Sequence, residues 1–282
     1  MAYHSASGLT PAAFQLLADF IRQECGIEVP DEKQYLIDVR LAHLVREEQC
    51  ASYMELYNRA RADGSGRLKD RIIDAITTNE THWFRDHRAW AALRTVVLPG
   101  FLEAAGRDSV RRIRIWSAGC STGQEPYSLA MLISDLAGDR RGQAGAGFRI
   151  LATDISREAL GIARGGRYNR ISMARGLELS FRARFFRPVG SLWELLPAIR
   201  EAVEFRAQNL LAPLTGEEPF DMVLCRNVAI YFSDPFRARL FRNLTAMLRP
   251  GGYLFLGSSE SLLPFLAGYE SIDNGIYFRR KP

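Results

Sequence analysis

The second half of the chain alternates between apolar, strand-like runs and amphipathic, helix-like runs, and this alternation limits the fold more than any other feature. From about residue 112 the strand-like runs are RRIRIWS, FRILATDIS, FDMVLCRN and GGYLFLG, and the intervening runs are QEPYSLAMLISDL, REALGIARGG and PFRARLFRNLTAML. Parallel strands require such crossover helices, which then cover both faces of the sheet. The pattern predicts an α/β domain with a mostly parallel sheet, whose ligands bind beyond the carboxyl ends of the strands.

The last segment of the sequence, YESIDNGIYFRR, carries a hairpin signal. Asn274 and Gly275 separate two short strand-like runs, and the Asn-Gly pair is strongly preferred in tight β-turns. We therefore expect an antiparallel strand at or near the end of the sheet.

The first third of the chain has helical periodicity. Thr10 followed by Pro11 is typical of a helix start, and Gly26 of a helix stop. We expect an all-helical domain with a linker helix over residues 1–92, followed by the sheet domain over residues 93–282.

The composition excludes several classes of protein. The 282 residues are 47% hydrophobic, yet they contain no run of about 18 apolar residues and no apolar signal core at the start, which predicts a cytoplasmic protein without membrane insertion. The four cysteines are scattered and there are only four histidines, so we expect neither a metal site nor disulfides. The formal net charge of +5 favours an acidic partner, which charge alone leaves open between nucleic acid and a protein surface.

The turn after the first strand-like run indicates a ligand site. Gly119 and Gly123 lie between a strand and a helix, where the absence of a side chain lets the backbone pass close to a ligand. The sequence G-C-S-T-G lacks the spacing of a dinucleotide fingerprint and is not followed by the lysine of a P-loop. Phosphate binding is therefore disfavoured.

Asp154 ends the second strand-like run, where a carboxylate typically accepts hydrogen bonds from ribose hydroxyls. Together with the glycine turn, it favours a site for a nucleoside without phosphates. The alternative is that the glycines only make a tight turn and that Asp154 caps the helix starting at SREAL.

Several motifs in this order resemble the CheR-type chemotaxis receptor methyltransferases over nearly the whole chain. They are TTNETHWFRD (77–86), WSAGCSTGQEPYSLAM (116–131), ILATDI (150–155), QNLL (208–211), FDMVLCRNVAIYF (220–232) and LRPGGYLFLGSSESL (248–262). The resemblance implies a class I, Rossmann-like S-adenosylmethionine-dependent methyltransferase domain with an N-terminal all-helical domain and a small antiparallel β insertion. It also implies methyl transfer to glutamate side chains in the cytoplasmic helical domain of methyl-accepting chemoreceptors, with S-adenosylhomocysteine as product.

The resemblance also assigns a cofactor pocket. Together with Gly119 from the turn, its residues are Asn79, Thr81, Arg85, Glu125, Asp154, Asn209, Leu210, Asn227 and Val228. Suitable roles are Glu125 for the cofactor's amino group, Arg85 for its carboxylate, Asp154 for the ribose and Asn209 for the adenine edge.

We expect Arg85 and Tyr231 to stand near the incoming glutamate as catalytic residues, Arg85 through its charge and Tyr231 through its hydroxyl. A glutamate carboxylate is already ionised at neutral pH, so no general base is required. Two alternatives stay open: a surface ion pair of Arg85 with Asp86, and burial of Tyr231 as an ordinary core aromatic.

A basic strip on the second helix is the candidate for substrate binding. Its members are Lys33, Arg40, His43 and Arg46, and the family uses its helical domain in this way. The alternative is an ordinary solvated helix face.

The stretch from about residue 168 to 206 interrupts the alternation and matches in position the family's β insertion. Some members dock a receptor tail there and tend to have a longer, glycine-richer loop, whereas the turn at residues 188–191 is short. We expect a monomeric enzyme that does not need a tail peptide.

Two rival functions remain open. The first is a methyltransferase acting on RNA or a small molecule, although no N-P-P-Y-like tetrapeptide and no basic tract interleaved with aromatics supports nucleic acid. The second is a catalytically silent adaptor that keeps the fold to bind a signalling partner.

Overall fold

The computed structural model describes residues 8–107, 112–138, 147–262 and 265–282. The α-helices are α1 Pro11–Cys25, α2 Gln34–Glu47, α3 Tyr53–Ala62, α4 Arg67–Ile76, α5 His87–Ala92, α6 Leu98–Arg107, α7 Gln124–Ala137, α8 Arg157–Gly165, α9 Arg170–Met173, α10 Leu179–Phe185, α11 Pro197–Arg200 and α12 Asp234–Ala246. The strands are β1 Ile113–Ala118, β2 Phe148–Asp154, β3 Arg167–Asn169, β4 Phe186–Val189, β5 Leu192–Leu195, β6 Val203–Ala207, β7 Phe220–Cys225, β8 Leu248–Leu256, β9 Tyr269–Ile272 and β10 Tyr277–Arg280.

Helices α1 to α4 form a bundle with its own apolar core. The hydroxyl of Thr10 accepts the N–H of Ala13 at the start of α1, and Gly26 ends the helix at φ 78°. At the start of α3, Ser52 accepts the N–H of Glu55. The predicted start and stop of α1 are therefore confirmed, because the local capping groups that mark them are present in the sequence.

The large sheet has the strand order β6-β2-β1-β7-β8-β10-β9. Its first five members pair in parallel, and β10 runs antiparallel to both β8 and β9. The β9–β10 hairpin turns through Asp273, Asn274 and Gly275, which all have positive φ. Both the mostly parallel sheet and the terminal antiparallel strand agree with the sequence patterns.

The two faces of the sheet bury separate apolar clusters. Side chains such as Ile115 and Met222 pack on one face, and Trp116 and Val223, one residue further along, pack on the other. This alternation follows from the two-residue period of a strand. Helices therefore cover both faces, which leaves the ends of the strands for ligands.

The boundary between the two domains differs from the expected one near residue 92. Trp83, Trp90 and Leu93 pack in the core of the sheet domain, whereas Ile76 belongs to the core of the helical bundle. Residues 77–86, which contain neither helix nor strand, connect the two cores. Helix α5 is therefore part of the sheet domain, because its tryptophan is buried there.

A small antiparallel sheet with the order β3-β5-β4 lies between β2 and β6 in the chain. Its β4–β5 hairpin turns through Gly190 and Ser191, since Val189 pairs with Leu192. Strand β6 belongs to the large sheet instead, where it pairs with β2. The insertion thus ends before residue 203, earlier than the sequence range of about 168–206.

Within the described residues, no helix is both long enough and apolar enough to cross a membrane. The expectation about the first seven residues, that they lack a signal core, lies outside the described part of the chain.

Candidate active site

A pocket lies at the carboxyl ends of the parallel strands, between the two domains. The strand order reverses at β1, which pairs with β2 on one side and β7 on the other. Such a reversal point is where open α/β sheets bind ligands. The segments after β1, β2, β6 and β7 line the pocket, together with the linker 77–85 and the end of α1.

Every residue that the sequence assigned to the cofactor or to catalysis lines this pocket. These residues are Asn79, Thr81, Arg85, Gly119, Glu125, Asp154, Asn209, Leu210, Asn227, Val228 and Tyr231. They come from five separate segments of the chain, which the fold brings together.

Only glycine fits at position 119, because of the backbone conformation there and because of a close neighbouring side chain. Its φ is 84°, and a Cβ atom at this position would lie only 2.4 Å from Cγ2 of Val228. Any other residue would push the β7 side of the pocket away from the β1 side.

Asp154 is buried in the pocket wall and is held by backbone donors. One carboxylate oxygen accepts the N–H of Ser121 at 2.7 Å, and the other accepts the N–H of Ser156 at 2.9 Å. Ser156 itself caps α8 by accepting the N–H of Ala159. Burial raises the pKa of the Asp154 carboxyl despite these bonds.

Glu125 is part of a buried charge network that the sequence did not predict. Its carboxylate accepts the hydroxyl of Ser117 at 2.8 Å and pairs with Arg226 at 3.1 Å. The side chain of Arg226 is only 2% exposed. It also donates to the carbonyl of Arg85 at 2.6 Å and lies 3.6 Å from Asp86. Arg226 therefore connects the end of β7 to α7 and to the linker.

Asn209 connects the pocket to the helical domain. Its Nδ2 donates to the carbonyl of Glu24 at 2.7 Å, and its Oδ1 accepts the N–H of Leu211 at 3.0 Å. The side-chain amide is therefore already engaged, so an adenine at this position would meet an amide that the fold has fixed. Asn79 is also held in place by a hydrogen bond, because its backbone carbonyl accepts the hydroxyl of Ser121 at 3.0 Å.

Arg85 and Tyr231 present polar groups to the pocket. The Arg85 guanidinium donates to the carbonyl of Glu80 at 3.2 Å, and among the described residues no carboxylate forms a salt bridge with it. The expected alternative partner, Asp86, lies beside Arg226 instead. Tyr231 is half-buried. Its hydroxyl makes no hydrogen bond within the described part of the chain, whereas its carbonyl accepts the N–H of Glu28 at 3.1 Å.

Comparison with known proteins identifies the family. Residues 79–273 match the family model "CheR methyltransferase, SAM binding domain", and residues 12–77 match "CheR methyltransferase, all-alpha domain". The chain belongs to the CheR methyltransferase family.

The relatives of this CheR-family chain match it along nearly their whole length. Chemotaxis protein methyltransferase 1 of Pseudomonas aeruginosa is 42% identical over 96% of this chain and 98% of the relative. Chemotaxis protein methyltransferase Cher2 of Pseudomonas putida is 40% identical over 95% and 98%. Chemotaxis protein methyltransferase 1 of Vibrio cholerae is 38% identical over 93% and 94%.

S-adenosylmethionine is the cofactor of this CheR-family methyltransferase, and the chemistry of the pocket fits it. Two carboxylates, Glu125 and Asp154, line the pocket together with Gly119, and groups of this kind suit an amine, ribose hydroxyls and a close backbone approach. The cofactor carries no phosphate, which agrees with the absence of a P-loop lysine. The strand order and the family match establish a class I methyltransferase domain with an all-helical domain and a small antiparallel sheet.

The four candidates for substrate binding lie outside the pocket, and they do not form one equivalent strip. Lys33, His43 and Arg46 are exposed, and Arg40 is half-buried. The Arg40 guanidinium donates to the carbonyl of Ile76 and, at 2.9 Å, to the hydroxyl of Thr78. Arg40 therefore holds the end of α4 and the start of the linker, a role that the sequence spacing did not reveal.

Proposed function

We propose that this enzyme transfers the methyl group of S-adenosylmethionine to glutamate side-chain carboxylates of chemoreceptors and releases S-adenosylhomocysteine. The observation that carries the proposal is the guanidinium of Arg85 at the pocket, whose charge acts on the nearby Glu80 carboxyl but which lacks a salt-bridge partner among the described residues. A bound carboxylate would provide that partner. The names of the relatives, chemotaxis protein methyltransferases, support an acceptor that takes part in chemotaxis.

The proposed reaction needs little chemistry from the protein. When bound, S-adenosylmethionine supplies an electrophilic methyl group on a sulfonium; the new bond joins this methyl to a glutamate oxygen, and the broken carbon–sulfur bond leaves a thioether. No proton moves, so the pocket needs no general base. Arg85 would attract and orient the carboxylate, Tyr231 would donate a hydrogen bond to it, and positioning in a dehydrated pocket would supply most of the rate.

We further propose that the exposed part of α2 docks the acceptor, an acidic helix of a receptor's cytoplasmic domain. Its basic side chains are His43 and Arg46, and Lys33 lies just before the helix. They accompany two exposed apolar side chains, Tyr35 at 60% and Val39 at 69%. An acidic amphipathic helix would match both kinds of contact.

We also propose that the enzyme acts as a cytoplasmic monomer and without a receptor-tail peptide. The two-residue turn between β4 and β5 supports independence from a tail peptide, because the small sheet lacks an extended loop at this turn.

Charge reversal on α2 should weaken acceptor binding. We expect the double variant Lys33→Glu and Arg46→Glu to raise the KM for receptor membranes about tenfold, since each rim charge contributes on the order of 1 kcal/mol, while the Kd for S-adenosylhomocysteine stays unchanged. Arg61→Glu on α3, also exposed, is the matched control. Equal KM values for the double variant and the wild type would remove α2 as the docking face.

Tyr231 should affect turnover more than binding. Replacement by Phe keeps the ring and removes only the hydroxyl, so we expect kcat to fall roughly tenfold, the effect of one lost hydrogen bond to a charged group, with cofactor affinity retained. Single-turnover transfer to receptor membranes measures it. Full turnover by Tyr231→Phe would show that the hydroxyl does not contact the acceptor.

The function is tested by transfer of labelled methyl groups from S-adenosylmethionine to receptor-containing membranes, followed by mild base. We expect the label on a receptor-sized protein and its release as methanol, which is diagnostic of a carboxyl methyl ester. Base-stable label on RNA or a small molecule would support the rival methyltransferase. Cofactor binding without label on any of these acceptors would support a silent adaptor.

A further inference from the structure

Glu260 lies just after β8, and its carboxylate accepts four backbone hydrogen bonds. One oxygen accepts the N–H of Val228 at 2.8 Å and that of Ala229 at 2.7 Å. The other accepts the N–H groups of Asn227 and Gly257, both at 2.7 Å. An ionised carboxylate offers about four acceptor positions, so these bonds use its full capacity.

Three of the four donors are successive residues in the turn after β7. Asn227 is left-handed at φ 60°, and Val228 follows in the right-handed region at φ −116° and ψ −48°. Alternating left-handed and right-handed residues direct successive N–H groups into one concavity, which binds anions. The Glu260 carboxylate fills this concavity, and it thereby offsets the cost of positive φ at a residue other than glycine, on the order of 1–3 kcal/mol.

The same turn forms one wall of the pocket. Asn227 and Val228 line it, and Val228 packs so closely against Gly119 that a Cβ atom would not fit between them. Arg226, at the start of the turn, pairs with Glu125. A shift of the turn would therefore move several groups of the pocket at once.

We infer that Glu260 is a positioning residue for cofactor binding: it fixes the turn 226–229 in the conformation that receives S-adenosylmethionine. This inference rests on the proposal that the cofactor occupies this pocket. Glu260 acts through the backbone of the turn, so its loss should change affinity for the cofactor more than the chemistry of methyl transfer.

The test is Glu260→Gln in the full chain. The amide keeps one acceptor oxygen and turns the other position into a donor that faces backbone N–H groups. We expect the Kd for S-adenosylhomocysteine, measured by calorimetry, to rise at least tenfold, and the KM for S-adenosylmethionine to rise with it, while kcat at saturating cofactor changes less than KM.

Glu217→Gln is the matched control. Glu217 has a buried carboxylate, paired with Arg114, Arg149 and Arg206, and it does not line the pocket. We expect it to lower the melting temperature and to leave the Kd within about twofold of wild type. Equal changes of Kd in the two variants would reduce Glu260 to general stabilisation and overturn the inference.

Hydrogen exchange in the cofactor-free wild type gives a second test that needs no variant. If Glu260 holds the turn before the cofactor arrives, the amides of residues 227–229 should exchange slowly in the absence of ligand. Fast exchange there would overturn the inference even if Glu260→Gln did not fold. Failure of the wild type to bind S-adenosylhomocysteine would instead contradict the assignment of the pocket.

Discussion

Replacing Asp154 by Asn is expected to raise the Kd for S-adenosylhomocysteine roughly 10- to 100-fold without lowering the melting temperature. A hydrogen bond to a charged group contributes about 1.5–3 kcal/mol. In the wild type each carboxylate oxygen of Asp154 accepts a backbone N–H, whereas the amide of Asn has only one acceptor oxygen. Cofactor affinity should therefore fall. Calorimetry and thermal unfolding of the same sample measure both quantities.

Stability should respond differently because burial raises the pKa of Asp154. A raised folded-state pKa means that the folded chain binds this proton more tightly than the unfolded chain, so this group's contribution to stability declines as pH rises from about 3.9 through the folded pKa. At neutral pH the ionised carboxylate of Asp154 incurs the full free-energy cost of desolvation by burial. The neutral amide removes that penalty, which compensates for the lost bond to a backbone N–H.

The pH dependence of binding follows from the same shift. Protonation of Asp154 removes a charged acceptor, so the Kd should rise on acidification through a pH above the usual range of an aspartate. This part of the profile should be absent in Asp154→Asn. A large loss of stability with unchanged Kd would instead show that Asp154 only holds the backbone of Ser121 and Ser156 in place.

Asp63→Asn is a control in which the pKa shift of the replaced carboxyl has the opposite sign. This loop carboxylate accepts the N–H groups of Leu68 and Ser65 at 2.8 Å and 2.9 Å, and the bond from Leu68 lowers its pKa. Its contribution to stability is present above the unfolded pKa and is lost as pH falls through the folded pKa. Asp63→Asn should therefore lower the melting temperature at neutral pH and leave cofactor binding unchanged.

The parts of the structure that the sequence could predict are those with a local physical cause. Caps such as Thr10, the positive φ of Gly119 and the Asn274-Gly275 turn depend on neighbours within a few residues. The alternation of strands and helices depends on periodic burial along short runs. Strand β6 is more difficult to predict from the sequence, because it lies at the sheet edge and most of its residues are only partly buried or exposed.

The interactions that complete the site could not be predicted in the same way, because their partners are far apart in sequence. Asn209 bonds to the carbonyl of Glu24, 185 residues away, and Arg40 to that of Ile76, 36 residues away. Glu260 reaches the turn after β7 across 31 to 33 residues. Nothing in the local pattern around such residues distinguishes them from ordinary polar or charged surface residues, so only the folded structure identifies their partners.

The largest effect on stability is expected at Arg226, the buried cation that the sequence analysis missed. Replacement by Met removes the partner of Glu125 and the donor to the Arg85 carbonyl. Removing one member of a buried ion pair typically costs about 3–5 kcal/mol, which corresponds to a fall in melting temperature of roughly 10 °C in a chain of this size. Thermal unfolding of Arg226→Met measures it, and cofactor affinity should fall as well because Glu125 loses its orientation.

A double-mutant cycle separates this pair from general damage to the core. Glu125→Gln alone leaves Arg226 beside Asp86 at 3.6 Å, so it should destabilise less than Arg226→Met. In the double variant both charges of the pair are removed together, so neither remains buried without its partner. The two losses of stability should therefore be less than additive by about 1 kcal/mol or more. Additive losses would mean that Arg226 and Glu125 act independently, and that the network does not couple the end of β7 to α7.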